Sequence, residues 1–378
     1  MPTTTVGRRV EHAHLAFTLA VQRELAGGGL STACWSPYSV ASALGLAATG
    51  ARGSTRDELA ALLMGSADAG LAEHGAMLTE AASLDAPDAV DKPVVGVANT
   101  LWHVPSLPIR DEFTQELTSW PNGSVRHAPF QTEAEAARGL VNADVADTTH
   151  DLIPELLDRG VIRPDTIAML VNALYLKVAW RNRFPERATE ERPFYGPTGP
   201  TDVRTMRLNK RLGYAATGGW QVVVLPAAGD VDAVVLLPDG DIAAAESTLD
   251  ADALAGLLAA PVPALLHLHL PAFRVRAKAG LKAALAGLGV RTMFSNQADF
   301  GGISPMPMAV DSVVHEAVLT VDEEGLEGAA ATAVVMRMLS MHRDLAQPIE
   351  VRVDRPFLFL VRHRPSGAVY FLARVVQP

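Results

Sequence analysis

Two histidines are the residues of this sequence whose type and spacing could most directly do chemistry. His267 and His269 alternate with leucines over residues 266–270, and this alternation places both imidazoles on one face of a strand. Imidazole nitrogens bind metal ions well, but a metal site needs at least a third ligand, and the sequence designates none. We therefore favour a solvated strand face over a metal site, and we expect neither a metal nor a cofactor.

The sequence contains no recognisable catalytic constellation. It has no Gly-rich phosphate-binding loop, no nucleophile elbow and no zinc-protease helix motif. Apolar residues follow His315 and Glu316, so this pair does not begin a helical two-histidine metal motif. The single cysteine, Cys34, excludes an internal disulfide, and a free cysteine is more often a small buried residue than a reactive thiol. An enzyme is therefore the least favoured class of function.

Composition narrows the class of partner. Of the 378 residues, 49% are hydrophobic and 20% are charged, which is typical of a folded globular protein. The formal net charge is -10 and basic residues do not cluster, so we expect no nucleic-acid partner. No apolar run reaches the roughly 18 residues of a membrane span, so we expect no membrane partner. Residues 1–9 lack the apolar stretch of a secretory signal, which predicts a cytoplasmic protein and leaves export open.

Helical periodicity dominates the first half of the chain, and strand patterns dominate the second half. Ser36 is placed to cap the start of a helix, and Ser39 is a polar residue among the apolar residues of that helix. Residues 166–178 are predicted to form a strand buried on both faces, with Asn172 in its middle. Because no Ser-, Thr- or Pro-rich linker divides the chain, we predict an α+β fold with a single domain over residues 1–378.

One apolar segment, residues 325–341, has no obvious place in such a domain. It follows a predicted strand and an acidic break, and its only charged residues are Glu327 and Arg337. Local propensity favours a helix, because Ala, Leu, Met and Arg are good helix formers. The apolar positions would cover that helix on all sides, as occurs only in a buried helix.

Six blocks of the sequence carry a further signal: residues 36–44, 98–102, 170–177, 299–303, 354–359 and 367–375. In this order, along nearly the whole chain, they resemble the serpin family of protease inhibitors. One such block alone would be weak, but their joint order is specific. The resemblance implies a serpin fold with three β-sheets, eight or nine helices and an exposed reactive loop at about residues 325–347. It indicates an inhibitory serpin of the prokaryotic type.

The resemblance also implies a mechanism, in which the protein is a suicide substrate. A protease would cleave the loop and form its acyl-enzyme, and the freed loop would insert into the central sheet and distort the protease. Small side chains suit insertion between two strands, whereas a proline or a run of charges would stall it. The residues that match the hinge of the loop are Glu323, Gly325, Leu326, Gly328, Ala329, Ala330, Ala331 and Thr332.

The family's usual hinge length, counted from Gly325, places the cleaved bond between Leu339 and Ser340. A leucine there suits chymotrypsin-like, subtilisin-like or elastase-like serine proteases, whose primary pockets are apolar. The register stays open between residues 336 and 341, and cleavage after Arg337 would instead indicate a trypsin-like target.

Five further residues match family positions that control opening of the sheet. Ser36, Ser39, Asn172 and His315 match a buried polar cluster, and Trp180 matches the aromatic residue beside the point where the loop begins to insert. A connected polar network can control a movement, because its buried groups need their partners. The alternative is a set of separate, satisfied core residues.

This sequence departs from the family pattern at four positions. Leu326 stands where Thr or Ser is usual and Gly328 where Ala is usual, and both changes are expected to slow insertion. Asp144 and Asp151 stand where an aromatic residue and a glycine are usual. The acidic stretch 67–88 argues against a heparin site, and we expect a monomer. Two alternatives remain open: a non-inhibitory serpin-fold protein, and an inhibitor of an intracellular cysteine protease.

Overall fold

The computed structural model describes residues 5–27, 30–67, 70–84, 86, 92–120, 123–326 and 347–378. The proposed reactive bond, Leu339 and Ser340, lies outside these residues, as do the hinge residues from Gly328 to Thr332. Within the described ranges, no helix has the length and apolar character that crossing a membrane would require.

Nine α-helices occur in the described ranges, and side-chain caps explain where several of them begin. The Ser36 hydroxyl accepts a hydrogen bond from Ser39 N (3.0 Å) at the start of the second helix. Asp241 and Asp250 cap the seventh and eighth helices in the same way. The helices are α1 Thr5–Ala26, α2 Pro37–Gly50, α3 Gly53–Met64, α4 Leu71–Ala81, α5 Asp111–Ser119, α6 Ala134–Thr148, α7 Ile242–Thr248, α8 Ala251–Ala259 and α9 Lys282–Gly287.

The strands of the described ranges are β1 Ala33–Trp35, β2 Val94–His103, β3 Gly123–His127, β4 Ala168–Ala179, β5 Glu190–Gly196, β6 Gly199–Thr217, β7 Trp220–Pro226, β8 Val231–Pro238, β9 Val262–Pro271, β10 Phe273–Gly280, β11 Val314–Val321, β12 Gly325–Leu326, β13 Ile349–Arg352, β14 Phe357–His363 and β15 Val369–Val375. They form two hydrogen-bonded networks. The order of the first is β1-β15-β14-β8-β7-β6-β9-β13, with β5 beside β6, and the order of the second is β10-β11-β12-β4-β2-β3.

The larger network contains two of the three expected sheets, joined through the 19-residue strand β6. The first part of β6 pairs with β5 and its middle with β9, whereas its last residues pair with β7. The six-stranded network is the remaining, central sheet. The predicted α+β fold is confirmed.

The central sheet lies between two hydrophobic cores. Leu174 and Leu176 of β4 belong to the core that includes α2, whereas Val171 and Ala173 belong to the core that includes α6. Alternate residues of β4 are therefore buried on opposite faces, as the apolar run predicted. Asn172 shares the face of Leu174, which directs its side chain toward α2.

The structure accommodates both aspartates that depart from the family pattern in this region. Asp151 has a φ of 62°, in the left-handed region that glycine favours and that aspartate tolerates better than most residues. The Asp144 carboxylate accepts a hydrogen bond from Thr100 Oγ1 (3.2 Å) and pairs with Arg126 Nη1 (2.7 Å). Polar contacts thus hold α6 on the sheet where an aromatic side chain is usual.

Cys34 in β1 is buried beside the core. Burial in apolar surroundings raises the pKa of its thiol to about 12, so the thiolate is scarce at neutral pH. The residue fits the favoured interpretation, a small core side chain.

Candidate functional site

The candidate site is the boundary between β4 and β11 in the central sheet, which we call the seam. In the part of the chain that the structure describes, these two strands have no ladder pairs with one another and are joined only through β12. A small cavity lies beside Leu326 at the seam and is lined mainly by apolar side chains, among them Leu174, Leu176, Val318 and Phe371. Two strands with facing edges can accept an added strand between them.

A tight turn carries the chain from β11 back into the seam. The Asp322 carboxylate accepts hydrogen bonds from Glu324 N (2.9 Å) and Gly325 N (3.1 Å), and Asp322 N donates to Gly325 O (3.2 Å). A Cβ on Gly325 would lie 2.1 Å from the carbonyl oxygen of Val178. Only glycine therefore lets the hinge approach β4 so closely.

Leu326 is already part of the sheet in the uncleaved chain. It pairs with Val321 on one side and with Val178 on the other, and it is 1% exposed. Leu326 was expected to slow insertion, an expectation that assumes its bulky side chain enters the sheet only after cleavage. In the structure its burial precedes insertion, so the penalty expected from inserting a bulky side chain does not arise at this position.

Three hydrogen bonds from Trp180 and Phe184, which follow β4, hold the backbone of the hinge. Trp180 Nε1 donates to Asp322 O (2.8 Å), and Trp180 N donates to Glu324 O (2.9 Å). Phe184 N donates to Glu323 O (3.0 Å). The indole of Trp180 thus lies where the loop enters the sheet, and it bonds the turn directly.

The Glu323 side chain anchors the hinge to the larger network of strands. Its Oε1 accepts hydrogen bonds from Thr189 Oγ1 (2.7 Å) and Arg204 Nη2 (2.9 Å), and the residue is buried. Burial by itself would raise the pKa of Glu323, but these hydrogen bonds and the Arg204 charge bring the pKa below its usual value. The carboxylate is therefore ionised and fixed.

Thr189 and Arg204 were missed in the sequence. They lie 134 and 119 residues from Glu323, and only the folded topology places them beside it. Nothing in their local sequence distinguishes them from other polar residues in and between the strands.

The predicted polar residues form one hydrogen-bonded chain across the seam. Ser36 N donates to His315 Nε2 (3.0 Å), and Ser36 Oγ accepts a hydrogen bond from Ser39 N. Ser39 Oγ donates to Asn172 Oδ1, and Asn172 Nδ2 donates to Asn99 Oδ1 (2.6 Å). We call these five residues the seam cluster. The chain runs from β11 through the start of α2 to β4 and β2, so the first turn of α2 bridges the two strands.

Asn99 is the member of this cluster that the sequence did not identify. It is fully buried, and it lies directly opposite Asn172 in the β2–β4 ladder. A polar residue inside the apolar strand pattern at 94–102 was the available signal, the same signal that singled out Asn172.

His315 is neutral in this environment. Its Nε2 accepts the Ser36 N–H, so the neutral ring carries its proton on Nδ1. Burial lowers the pKa of the imidazole to about 4, because the charged form would lose its hydration. Protonation of Nε2 would remove the acceptor of the Ser36 amide and break the link between β11 and α2.

The structure supplies a carboxylate near the two alternating histidines, but not in a metal-binding arrangement. Glu350 lies opposite His267 in the β9–β13 ladder, with its Oε1 3.7 Å from His269 Nε2. The guanidinium of Arg352 holds the same oxygen at 2.7 Å. Among the described residues, no group of three possible ligands is placed to hold a metal ion.

Comparisons with known proteins agree on one family. A family model described as Serpin (serine protease inhibitor) matches residues 12–378. Iripin-2 of Ixodes ricinus is 32% identical over 381 residues, covering 97% of this chain and 93% of that protein. Leukocyte elastase inhibitor of Bos taurus is 33% identical over 359 residues, covering 91% and 92%. Among solved structures, Serpin48 of Tenebrio molitor covers 98% of both chains with a TM-score of 0.83 at 24% identity.

The comparisons support the serpin fold but not the prokaryotic type. The named relatives are animal proteins, so they give no support to the expected prokaryotic type. The structural similarity agrees with the expected serpin fold. The family model covers nearly the whole chain, and both sequence relatives exceed 30% identity over more than nine-tenths of it. The chain therefore belongs to the serpin family, the serine protease inhibitors.

Proposed function

We propose that this protein inhibits a serine protease as a suicide substrate, with residues 1–378 acting as one domain and residues 325–347 as its loop. The protease cleaves the loop between Leu339 and Ser340, and the freed segment inserts along the seam. The observation that carries this proposal is β12, because Gly325–Leu326 already occupies the first positions of an added strand between β11 and β4.

The protease itself carries out the chemical steps up to cleavage of the loop. Its serine oxygen attacks the carbonyl carbon of Leu339, the bond to Ser340 breaks, and the new amine takes up a proton. The result is an ester between the protease and Leu339. Hydrolysis of this ester releases the protease, so insertion must precede the attack of water.

Insertion of the loop can supply the free energy that keeps the attached protease distorted. Residues 327–339 would add ladder hydrogen bonds to both β4 and β11, each contributing about 0.5–1.5 kcal/mol net. About thirteen such residues would give on the order of 10 kcal/mol, as large as the whole stability of many domains. The small side chains at residues 328–333 fit a narrow gap between strands.

The proposed targets are chymotrypsin-like, subtilisin-like or elastase-like proteases, acting on a monomeric inhibitor without heparin. Leu339 supplies the apolar side chain that their primary pockets accept. The name of the bovine relative, leukocyte elastase inhibitor, supports an elastase-like target. A register shifted within residues 336–341 would change the preferred side chain, with Arg337 favouring a trypsin-like protease.

A denaturing gel tests the proposal directly. We expect incubation with a target protease to give a band that survives boiling, with the mass of protease plus cleaved inhibitor. Ala330→Pro should be cleaved at the same bond without forming this band, because a proline interrupts the inserting ladder. Sequencing the released peptide should give Ser340 as its first residue. Cleavage of the unaltered protein by every protease of the three classes, always without a stable band, would contradict the proposed function.

A further inference from the structure

A row of arginines crosses the sheet next to the point where the loop rejoins the fold. In the ladders, Arg352 of β13 lies opposite His269 of β9, and His269 lies opposite Arg207 of β6. Residues directly opposite one another share a face of the sheet. Arg192 of β5 joins the row through Glu190, whose Oε1 accepts from Arg192 Nε (2.8 Å) and Arg207 Nη1 (3.0 Å). We call Arg192, Arg207 and Arg352 the arginine row.

The row is positive although the protein is acidic. Its three guanidinium groups face two carboxylates, Glu190 and Glu350. The four strands β5, β6, β9 and β13 together carry six Arg and Lys against four Asp and Glu, whereas the whole chain has a net charge of -10. Burial chiefly lowers the pKa of His269. The charges of Arg192, Arg207 and Arg352 lower it further, and the Glu350 carboxylate acts in the opposite direction.

A pocket of about 90 Å³ opens beside the row. Arg192, Tyr195, Thr205, His269 and Arg352 line it. Tyr195 is 54% exposed, and His269 Nδ1 is a buried ring nitrogen with no hydrogen-bond partner among the described residues. Exposed tyrosine and arginine side chains around a pocket are typical of the residues that dominate binding energy at protein interfaces.

The Asp354 carboxylate also lines the pocket, but it pairs with Arg355 Nη1 at 3.2 Å. Charge complementarity therefore favours an acidic partner group, which the guanidinium groups can hold with charge-assisted hydrogen bonds.

The row lies within the reach of a protease bound to the loop. Eight residues lie between Ser340 and Ile349, the first residue of β13, and the nine residue-to-residue steps from Ser340 to Ile349 span at most about 30 Å. A protease domain of about 230 residues has a radius of gyration of about 17 Å. Its surface would therefore extend over the sheet that carries the row.

We propose that the arginine row and Tyr195 form a second docking surface for the target protease, which receives carboxylate side chains of an acidic protease surface. This inference rests on the proposed function, and it adds a preference among proteases that the loop alone does not supply. Long-range attraction between opposite charges raises the rate of encounter, and short-range pairing fixes the orientation of the encounter complex.

The test compares one protease in two charge states. A chymotrypsin-like protease is used as isolated and after succinylation of its surface lysines, which adds negative charge without changing the primary pocket. The inhibitor is used unaltered, as the double variant Arg207→Glu/Arg352→Glu, and as the matched control Arg211→Glu on the same face of β6. Melting curves before and after loop cleavage verify that each variant is folded.

The measured quantity is the second-order rate constant of covalent complex formation at low and high salt. For the succinylated protease at low salt, we expect the double variant to react about tenfold more slowly than the control, with a much smaller difference at about 0.5 M salt. For the unmodified protease the difference should shrink to about threefold or less. Equal rates for the double variant and the control at low salt would refute the docking surface.

A second measurement separates this inference from the proposed function. The succinylated protease, with its catalytic serine chemically blocked, is titrated against the three inhibitor forms. Weaker binding of the double variant than of the control supports the surface even if no covalent complex ever forms. Equal binding overturns it even if trapping is efficient. A loss of retention on a sulfated polysaccharide column, without any change in protease binding, would reassign the row to polyanions and contradict the inference.

Discussion

Leu326→Ala tests whether the hinge is inserted before cleavage. Leu326 is 1% exposed and contacts the apolar lining of the seam, so the substitution removes three buried carbons. The transfer loss is about 0.8 kcal/mol per carbon, and the space left behind adds to it, giving a destabilisation of about 3 kcal/mol. For a chain of this length the entropy of unfolding near the midpoint is about 0.8 kcal/mol/K, so the melting temperature should fall by about 4 °C.

The diagnostic comparison is between the intact and the loop-cleaved protein. Because Leu326 lies in the sheet of the intact chain and would remain there after insertion, Leu326→Ala should lower the melting temperatures of both forms equally. The rise in melting temperature on cleavage should therefore equal that of the unaltered protein. If Leu326 entered the sheet only after cleavage, the substitution would lower the melting temperature of the cleaved form alone.

Calorimetry of the two proteins, before and after limited cleavage of the loop, measures all four temperatures. Leu140→Ala is the matched control, because Leu140 lies on α6 with 48% of its surface exposed, and its loss should change neither form by more than about 1 °C. An unchanged melting temperature for intact Leu326→Ala would refute the assignment of Leu326 to the sheet before cleavage.

Three further predictions follow from the same contacts. The pKa of His315 is about 4 in the fold and about 6.5 in the unfolded chain. Its titration therefore leaves the free energy of unfolding unchanged above pH 6.5 and lowers it by up to about 3 kcal/mol as the pH falls to 4. In urea titrations, His315→Gln should show a free energy of unfolding that depends less on pH than that of the unaltered protein. Asn172→Ala removes a link of the seam cluster and should speed annealing of a synthetic peptide of residues 325–338 several-fold, measured by native gel, whereas an unchanged rate would place the barrier elsewhere. Glu323→Gln should destabilise the intact protein by about 2 kcal/mol in urea, and Glu191→Gln, an exposed control, by less than about 0.5.

The parts of the fold that were predictable from the sequence have local signals. Ser36 ends an extended stretch before an apolar helix, which identifies it as a cap. Asn172 interrupts an apolar strand, which predicts a polar side chain that needs hydrogen-bond partners, and the structure places it partly buried in β4. The α+β class followed from the change of period between the two halves of the chain, because helix and strand periodicity are properties of short windows.

The parts that were not predictable depend on contacts between distant segments. The Glu323 carboxylate is held by Thr189, just before β5, and by Arg204 of β6, and no local sequence pattern predicts that these segments lie beside the hinge. The two residues of β12 are too few to show any periodicity, so the alternation of side chains could not reveal that Leu326 is already buried. The bridging role of α2 also required the structure, because the sequence identified Ser36 and His315 separately from the bond between them.

The contacts along the seam differ in strength, and this difference orders the steps of insertion. Beyond the far ends of β4 and β11, Arg163 Nη2 pairs with Asp311 Oδ1 at 2.8 Å, but both side chains are about half exposed, so the pair contributes at most about 1 kcal/mol. At the near end the strand has already begun with Leu326. Between them lies the seam cluster, of which Ser36, Ser39, Asn99 and His315 are buried and Asn172 is partly buried. Breaking its hydrogen bonds would leave buried polar groups without partners, at a cost of about 1–3 kcal/mol each. Opening of the seam cluster is therefore the step that should set the rate of insertion, and the competition between trapping and hydrolysis should be decided by substitutions there rather than by Arg163 or Asp311.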